Sequence, residues 1–232
     1  MNKLDPRNIY DDLHQIPELG FEEFKTSAYL ADKLEAMGYK VTRNIGGTGV
    51  IGEIKGSEPG PVMMLRADMD ALPFLIDGEK KNIHACGHDA HSAMLLAAAS
   101  ELVGKVKRGT LRILFQQGEE TLKGALAVID AGVIEDVDIA LGLHIRPVQD
   151  IAYGEMSPAV RHASSTFVNV VINGLSSHGA RPHLGVNAIE AAAVAINAIT
   201  AIKINPIIPW SCKVTGIKGG GVAPISFLIK LK

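Results

Sequence analysis

Cysteine is scarce in this chain: Cys86 and Cys212 are the only two in 232 residues. Two cysteines cannot build the framework of a disulfide-stapled domain, and a reducing, cytoplasmic setting is the expectation that follows. Charge of one sign is missing as well. The chain carries 23 Lys+Arg against 25 Asp+Glu, a formal net charge of -2, so no field for a polyanion is expected and nucleic acid is excluded as a partner. No uninterrupted apolar run approaches the ~18 residues of a membrane span, and the segment Met1–Arg7 lacks the apolar core of a secretory signal. No membrane partner is therefore expected. Aromatics amount to only 5%. The low apolar content that marks disorder is absent too, because 47% of the residues are hydrophobic.

What is present is an alternation of strand-like and helix-like segments. Asp5-Pro6 reads as an N-cap followed by proline at the first helical position, with a helix to about His14 that Pro17 stops. Glu22–Met37 shows helical periodicity and ends at Gly38. Tyr39–Arg43 and Val50–Ile54 read as strands around Gly46-Gly47-Thr48-Gly49. Val62–Leu65 is a continuous apolar run of the kind found in a strand buried on both faces, and it leads into Arg66-Ala67-Asp68-Met69-Asp70. Asp77–Asn82 reads as a polar loop. Asp89 reads as the N-cap of a helix carrying Met94, Leu95, Ala98 and Leu102. Leu111–Phe115, a helix over Ala125–Ala131, and a strand over Val137–Leu143 follow. The expected architecture is α/β: a three-layer α/β/α domain with a mostly parallel sheet. The pattern changes near Ala163. Strand Ser164–Asn173, helix Asn187–Ile202 and strand Trp210–Ile217 suggest the beginning of a second, smaller α+β domain, giving domains 1–163 and 164–232.

Polar side chains capable of chemistry fall where strands end. Ligands of open α/β sheets bind at the carboxyl ends of parallel strands, and three such ends carry metal-capable groups: Cys86 and His88, Glu119 and Glu120, and His144. Thiolate, imidazole and carboxylate together suit zinc, manganese or cobalt better than magnesium or calcium. In an adjacent Glu-Glu pair one carboxylate can ligate a metal while the other takes a proton from water. Each residue taken singly has a plainer reading: Cys86 as a small buried hydrophobe, His88 and His91 as helix-start or surface histidines, Glu119-Glu120 as a solvated pair, His144 as a structural residue, Asp68 and Asp70 as turn formers. Their joint fall at the ends of one sheet is what points to a metal site.

With those residues in view, His84-Ala85-Cys86-Gly87-His88-Asp89 resembles the signature of metal-dependent amidohydrolases of the aminoacylase and carboxypeptidase type. The nearer likeness is to the branch that cleaves N-acyl amino acids such as hippurate, auxin conjugates and N-acetyl-diaminopimelate. His14–Leu19, Arg66–Pro73, Phe115-Gln116 with Glu119-Glu120, His144 before Pro147, and Gly174–Asn187 resemble further family segments in the same order. The resemblance implies a zinc-peptidase-like fold with an inserted lid and dimerisation domain, and a site for two divalent metal ions (Mn, Zn or Co). Cys86, His88, Glu120 and His144 match ligand positions, and Glu119 matches the general base. His178 matches a histidine that stabilises the tetrahedral oxyanion, often across a homodimer. Asp68 and Asp89 match positions around the ligands. Arg181, His183 and Asn187 match lid positions that could meet a substrate carboxylate. Other branches carry a ligand histidine where this chain has Arg66, as expected of the cysteine-using branch.

The family pattern is not followed after Gly219-Gly220-Gly221. Family members continue through the rest of the small domain, return to the first domain and supply a final metal-binding histidine. The segment 222–232 does not match that continuation, and a truncated or frameshifted chain is the expectation. Two other functional classes stand beside the amidohydrolase: an inactive fragment or pseudo-enzyme that keeps partial metal binding, and a structural zinc protein. The Glu-Glu pair and the lack of paired Cys-x-x-Cys motifs argue against the last.

Overall fold

The computed structural model describes residues 3–158, 164–208, 210–221 and 223–231. Ala163, where the domain change is expected, lies outside them, as do Met1, Asn2, Val222 and Lys232. The chain divides into two compact units, Met1–Tyr153 and Gly154–Lys232. No helix among the described residues is long and apolar enough to cross a membrane.

In the first unit, α1 (Pro6–His14) is capped by the Asp5 carboxylate, which accepts from the Arg7 amide, with proline at the start as the sequence predicts. Helix α2 (Phe24–Ala36) follows, then β1 (Lys40–Ile45), β2 (Gly49–Lys55) and β3 (Glu58–Asp68). The expected polar loop at 77–82 is instead a hairpin. Strands β4 (Leu72–Ile76) and β5 (Glu79–Ile83) pair antiparallel around Asp77-Gly78, the dipeptide that favours two-residue hairpin turns. Helix α3 (His88–Leu102), β6 (Arg108–Gln116), α4 (Gly124–Asp130) and β7 (Ile139–Gly142) complete the unit.

The five-stranded sheet has the order β1-β2-β6-β3-β7. It is mixed: β6, β3 and β7 are mutually parallel, while β2 and then β1 add antiparallel on one side. Layering follows the period-two alternation of β6. Leu111, Ile113 and Phe115 pack with residues of α1, α2 and α3 in the larger core, whereas Leu114 packs with Ile45, Ile51, Met64 and Val128 of α4. Helices thus cover both faces, as a sheet buried on two sides requires.

Tyr39 ties α2's end to this core. It is buried, and its hydroxyl donates to the Ala99 carbonyl of α3 at 2.9 Å. Burial pushes its phenol up to about 12, against about 10 in an unfolded chain. The unfolded state therefore gives up this proton first. Stability should be intact below pH ~10 and fall as pH rises toward 12. Tyr39→Phe should flatten that decline while costing about 1 kcal/mol at neutral pH for the lost hydrogen bond. Urea melts at pH 7, 9 and 11 check this, and a decline that is equally steep in the variant would show that another group causes it.

In the second unit, β8 (Thr166–Ile172), a 3-10 turn (Pro182–Leu184), α5 (Ala188–Thr200), β9 (Cys212–Gly220) and β10 (Ala223–Leu231) form a three-stranded antiparallel sheet of order β8-β10-β9, packed against α5. The segment that departs from the family pattern is therefore the middle strand, paired along both edges. Asn187 is the N-cap of α5: its side-chain oxygen accepts from the Ile189 amide at 3.0 Å.

Candidate metal centre

The parallel strands bring their carboxyl ends together, because β3 and β6 are in register from Val62↔Thr110 to Asp68↔Gln116 and β7 pairs with β3 up to Arg66↔Gly142. The candidate residues lie in the segments that leave these ends. Strand alternation continues past β3: Ala67 and Met69 enter the core, and Asp68 and Asp70 take the opposite side, at the site. Gly87 precedes α3 in the left-handed region (φ 83°), and a Cβ there would stand 2.2 Å from the Ile145 side chain. Only glycine lets the Cys86–His88 turn lie against the chain that carries His144.

His88 is the centre of the arrangement. It is fully buried, and its Nδ1 lies 2.9 Å from an Asp70 carboxylate oxygen. Its Nε2 is buried without a hydrogen-bond partner. Around that nitrogen stand carboxylate oxygens of Asp68 at 3.6 Å, Glu119 at 3.8 Å and Glu120 at 4.0 Å. One Glu120 oxygen is likewise buried and unpartnered. The Cys86 Sγ is 3.4 Å from His144 Nε2, while His144 Nδ1 lies 2.6 Å from the Ile145 carbonyl and donates to it. Both histidines thus have Nδ1 engaged by oxygen, which leaves each Nε2 lone pair for a cation.

Two sets of side chains have ligand atoms within 4.8 Å of one another: Cys86, His88 and Glu120; and Asp68, His88, His91 and His144. The first fits a metal. The second does not fit as it stands, because both nitrogens of His91 are taken. Its Nδ1 donates to Asp68 at 2.6 Å, and its Nε2 accepts from the Ile145 amide at 3.0 Å. His91 is a strut between Asp68 and the His144 segment.

Electrostatics agree with a cation site. Burial pushes the Cys86 thiol up to about 12, with Glu120, Glu119 and Asp68 adding to the effect. The thiolate needs a metal to form, so metal binding would release a proton. Burial lowers the pKa of His88, but the hydrogen bond to Asp70 and the charges of Asp68, Asp70 and Glu119 more than reverse it, so the net shift is upward. Burial also raises Glu119; His88 opposes that, and Glu120, Asp68 and Asp70 add to it, leaving the carboxyl above the ordinary range. Asp68 goes the other way. Burial would raise it, but the hydrogen bond from His91, the charge of Arg66 (2.8 Å away) and the nearby imidazoles of His88 and His91 hold it well below the usual carboxylate range.

Of the residues singled out from the sequence, the structure gathers Cys86, His88, Glu119, Glu120, His144 and Asp68 in one place. Asp89 is beside them but is not the helix cap: α3 begins at His88 with Gly87 at the cap position. Asp89 sits in the first turn, buried, with its carboxylate 2.6 Å from His14 Nδ1. His178, Arg181, His183 and Asn187 belong to the second unit and are exposed there. His178 Nδ1 accepts from the Ala180 amide at 3.2 Å, and the Asn187 oxygen is committed to capping α5. Sequence reasoning left Asp70 as a turn former and His91 as a surface histidine. Asp70 in fact holds His88 with one oxygen and the Glu120 amide with the other, at 2.8 Å. The available signals were the Asp-x-Asp spacing, which puts both carboxylates on one side of an extended strand, and the i,i+3 spacing of His88 and His91 on one helix face.

Comparison with known proteins gives concordant matches. Residues 64–219 match the model of Peptidase family M20/M25/M40. The chain is 37% identical over 223 residues to thermostable carboxypeptidase 1 of Saccharolobus solfataricus and 36% identical over 218 residues to hippurate hydrolase of Campylobacter jejuni. Each match covers 90% of this chain and 57% of the relative, so the chain spans little more than half the length of these relatives. Among solved structures, a Bacillus subtilis protein described as a dinuclear metal binding peptidase of the M20 family superimposes with a TM-score of 0.75 at 29% identity, over 97% of this chain and 63% of that one.

Proposed function

The chain belongs to Peptidase family M20/M25/M40, and from that premise we propose that the protein hydrolyses the amide bond of N-acyl-L-amino acids with two divalent metal ions. The observation that carries the reading is the buried, unpartnered His88 Nε2 facing Glu119 and Glu120 beside Cys86. The names hippurate hydrolase and dinuclear metal binding peptidase, borne by similar proteins, support the substrate class and the metal pair.

Cys86, His88, Glu120 and His144 would hold the metals, with manganese, zinc or cobalt matching the mixed sulfur, nitrogen and oxygen donors. A bound metal pair lowers the pKa of water and polarises the acyl carbonyl. Glu119 takes the proton of the attacking water and passes it to the departing amine. Its raised pKa suits both halves of that transfer, since a base poised nearer neutrality also serves as the acid. Asp70 fixes the His88 tautomer. Asp68, clamped by Arg66 and His91, is a permanent negative charge behind the site, and Asp89 anchors the first turn of α3. His178 would donate to the oxyanion. Arg181 and His183 would meet the substrate carboxylate, and Asn187 would contribute only its amide nitrogen. A homodimer formed through the second unit and a cytoplasmic setting belong to the same reading.

Glu119→Gln tests it. Release of free amino acid from N-benzoyl- and N-acetyl-amino acids should fall by about 10²- to 10⁴-fold, the usual worth of a positioned acid–base, with metal content unchanged. Near-normal release by the variant would remove Glu119 from the mechanism. An unsubstituted chain that binds metal yet releases no amino acid would favour the non-catalytic reading.

A further inference from the structure

Outside the candidate ligands, the least expected side chain is Glu23. It is completely buried, and among the described residues it has no cationic partner. Burying a carboxylate without a counter-ion is costly, and burial pushes its pKa up. It also sits at the cap position of α2 without capping that helix. The cap is supplied from a distance by Glu18, whose carboxylate accepts from the Lys25 and Thr26 amides at 2.9 Å each. Glu23 is thereby free to point elsewhere. One of its oxygens accepts from the Thr48 hydroxyl at 2.5 Å, and the other from the Gly118 amide at 2.8 Å.

Gly118 immediately precedes Glu119. The amide of Glu120, immediately after it, is held by Asp70. Two buried carboxylates on chain segments far apart in sequence therefore pin the amides on either side of Glu119. The turn is also closed sterically. Gly118 is left-handed (φ 57°), and a Cβ there would meet the Phe21 ring at 2.5 Å; Phe21 is itself left-handed (φ 68°). A non-glycine residue in that region is strained, and the strain brings the Phe21 ring over the turn.

We propose that Glu23 is a positioning residue for the Glu119-Glu120 turn, acting through the Gly118 amide to aim both carboxylates at the metal centre. The role rests on the reading of Glu119 and Glu120 given above.

Cobalt(II) titration of the full chain tests it, followed by visible absorption and by competition with a chelator. Glu23→Leu should weaken Co²⁺ binding by about 10- to 100-fold, the loss typical of residues that orient ligands, and should change the cobalt spectrum. Glu23→Gln keeps an acceptor for the Gly118 amide and should restore most of both. If Glu23→Leu does not fold by circular dichroism, Thr48→Val loosens the same carboxylate without touching the turn and should weaken Co²⁺ binding several-fold. A folded Glu23→Leu or Thr48→Val chain with unchanged affinity and spectrum would overturn the proposal alone, as would a loss that Glu23→Gln fails to rescue. An unsubstituted chain that takes up no Co²⁺ would overturn the metal-centre reading and this proposal with it.

Discussion

His88→Ala should leave the chain unable to retain a divalent metal through dialysis, while the fold of the first unit survives. His88 Nε2 is the atom on which the carboxylates of Asp68, Glu119 and Glu120 converge, and His88 belongs to both clusters of side chains, including the one that fits a metal. Without it, Cys86, Glu120 and His144 remain to serve two metal ions between them, fewer per ion than the three protein ligands of a catalytic site. The graded companion is Asp70→Asn. Asp70 accepts twice, from His88 Nδ1 and from the Glu120 amide. An asparagine has one oxygen and one NH2 group. Turned one way, its NH2 opposes the Glu120 amide. Turned the other way, it forces the His88 proton onto Nε2 and removes the lone pair. Either way one support is lost, and metal affinity should fall by about 10- to 100-fold. Metal analysis and chelator competition read both variants. Full metal retention by His88→Ala would place the centre elsewhere.

Phe227→Ala should unfold the second unit and leave the first intact. The buried apolar residues of that unit among the described ones are Ala192, Ile225 and Phe227. Two of the three lie on β10, the strand that pairs with both neighbours. Truncating a buried phenylalanine costs about 3–5 kcal/mol, and a core this small supplies about the same total. Leu228→Ala, one residue along and 37% exposed on the other face, should cost under about 1 kcal/mol. Amide hydrogen exchange separates the cases: protection of β8–β10 should vanish in Phe227→Ala, with β3 and β6 still protected. Retained protection of β8–β10 would mean that the segment 223–231 is dispensable to the unit.

Local elements were legible because their signals are local. The Asp5-Pro6 start of α1, the Gly38 end of α2 and the strand over Leu111–Phe115 all follow from near neighbours, and the structure departs from them by a few residues. The hairpin Leu72–Ile83 escapes a sequence reading because neither strand alternates: Leu72–Ile76 is apolar throughout, Glu79–Ile83 is mostly charged or polar, and nearly all of both is exposed; the Asp77-Gly78 turn is the overlooked cue. The shift of the α3 cap from Asp89 to Gly87 is a tertiary effect, since Gly87 takes a left-handed turn against Ile145, 58 residues away.

The sequence by itself determined the kinds of chemistry available: a thiol, imidazoles and an adjacent pair of carboxylates at strand ends, with balanced charge and scarce cysteine excluding other classes. Tertiary structure alone decided the partners. It gave Asp70 to His88 and Glu120, tied up both nitrogens of His91, sent Glu23 across 95 residues to Gly118, and made the departing segment 223–231 a central strand. The reason is physical. A side chain's type is written in one position, but whether a donor is free, a carboxylate neutralised or a strand central depends on groups that only the folded chain brings within hydrogen-bonding distance.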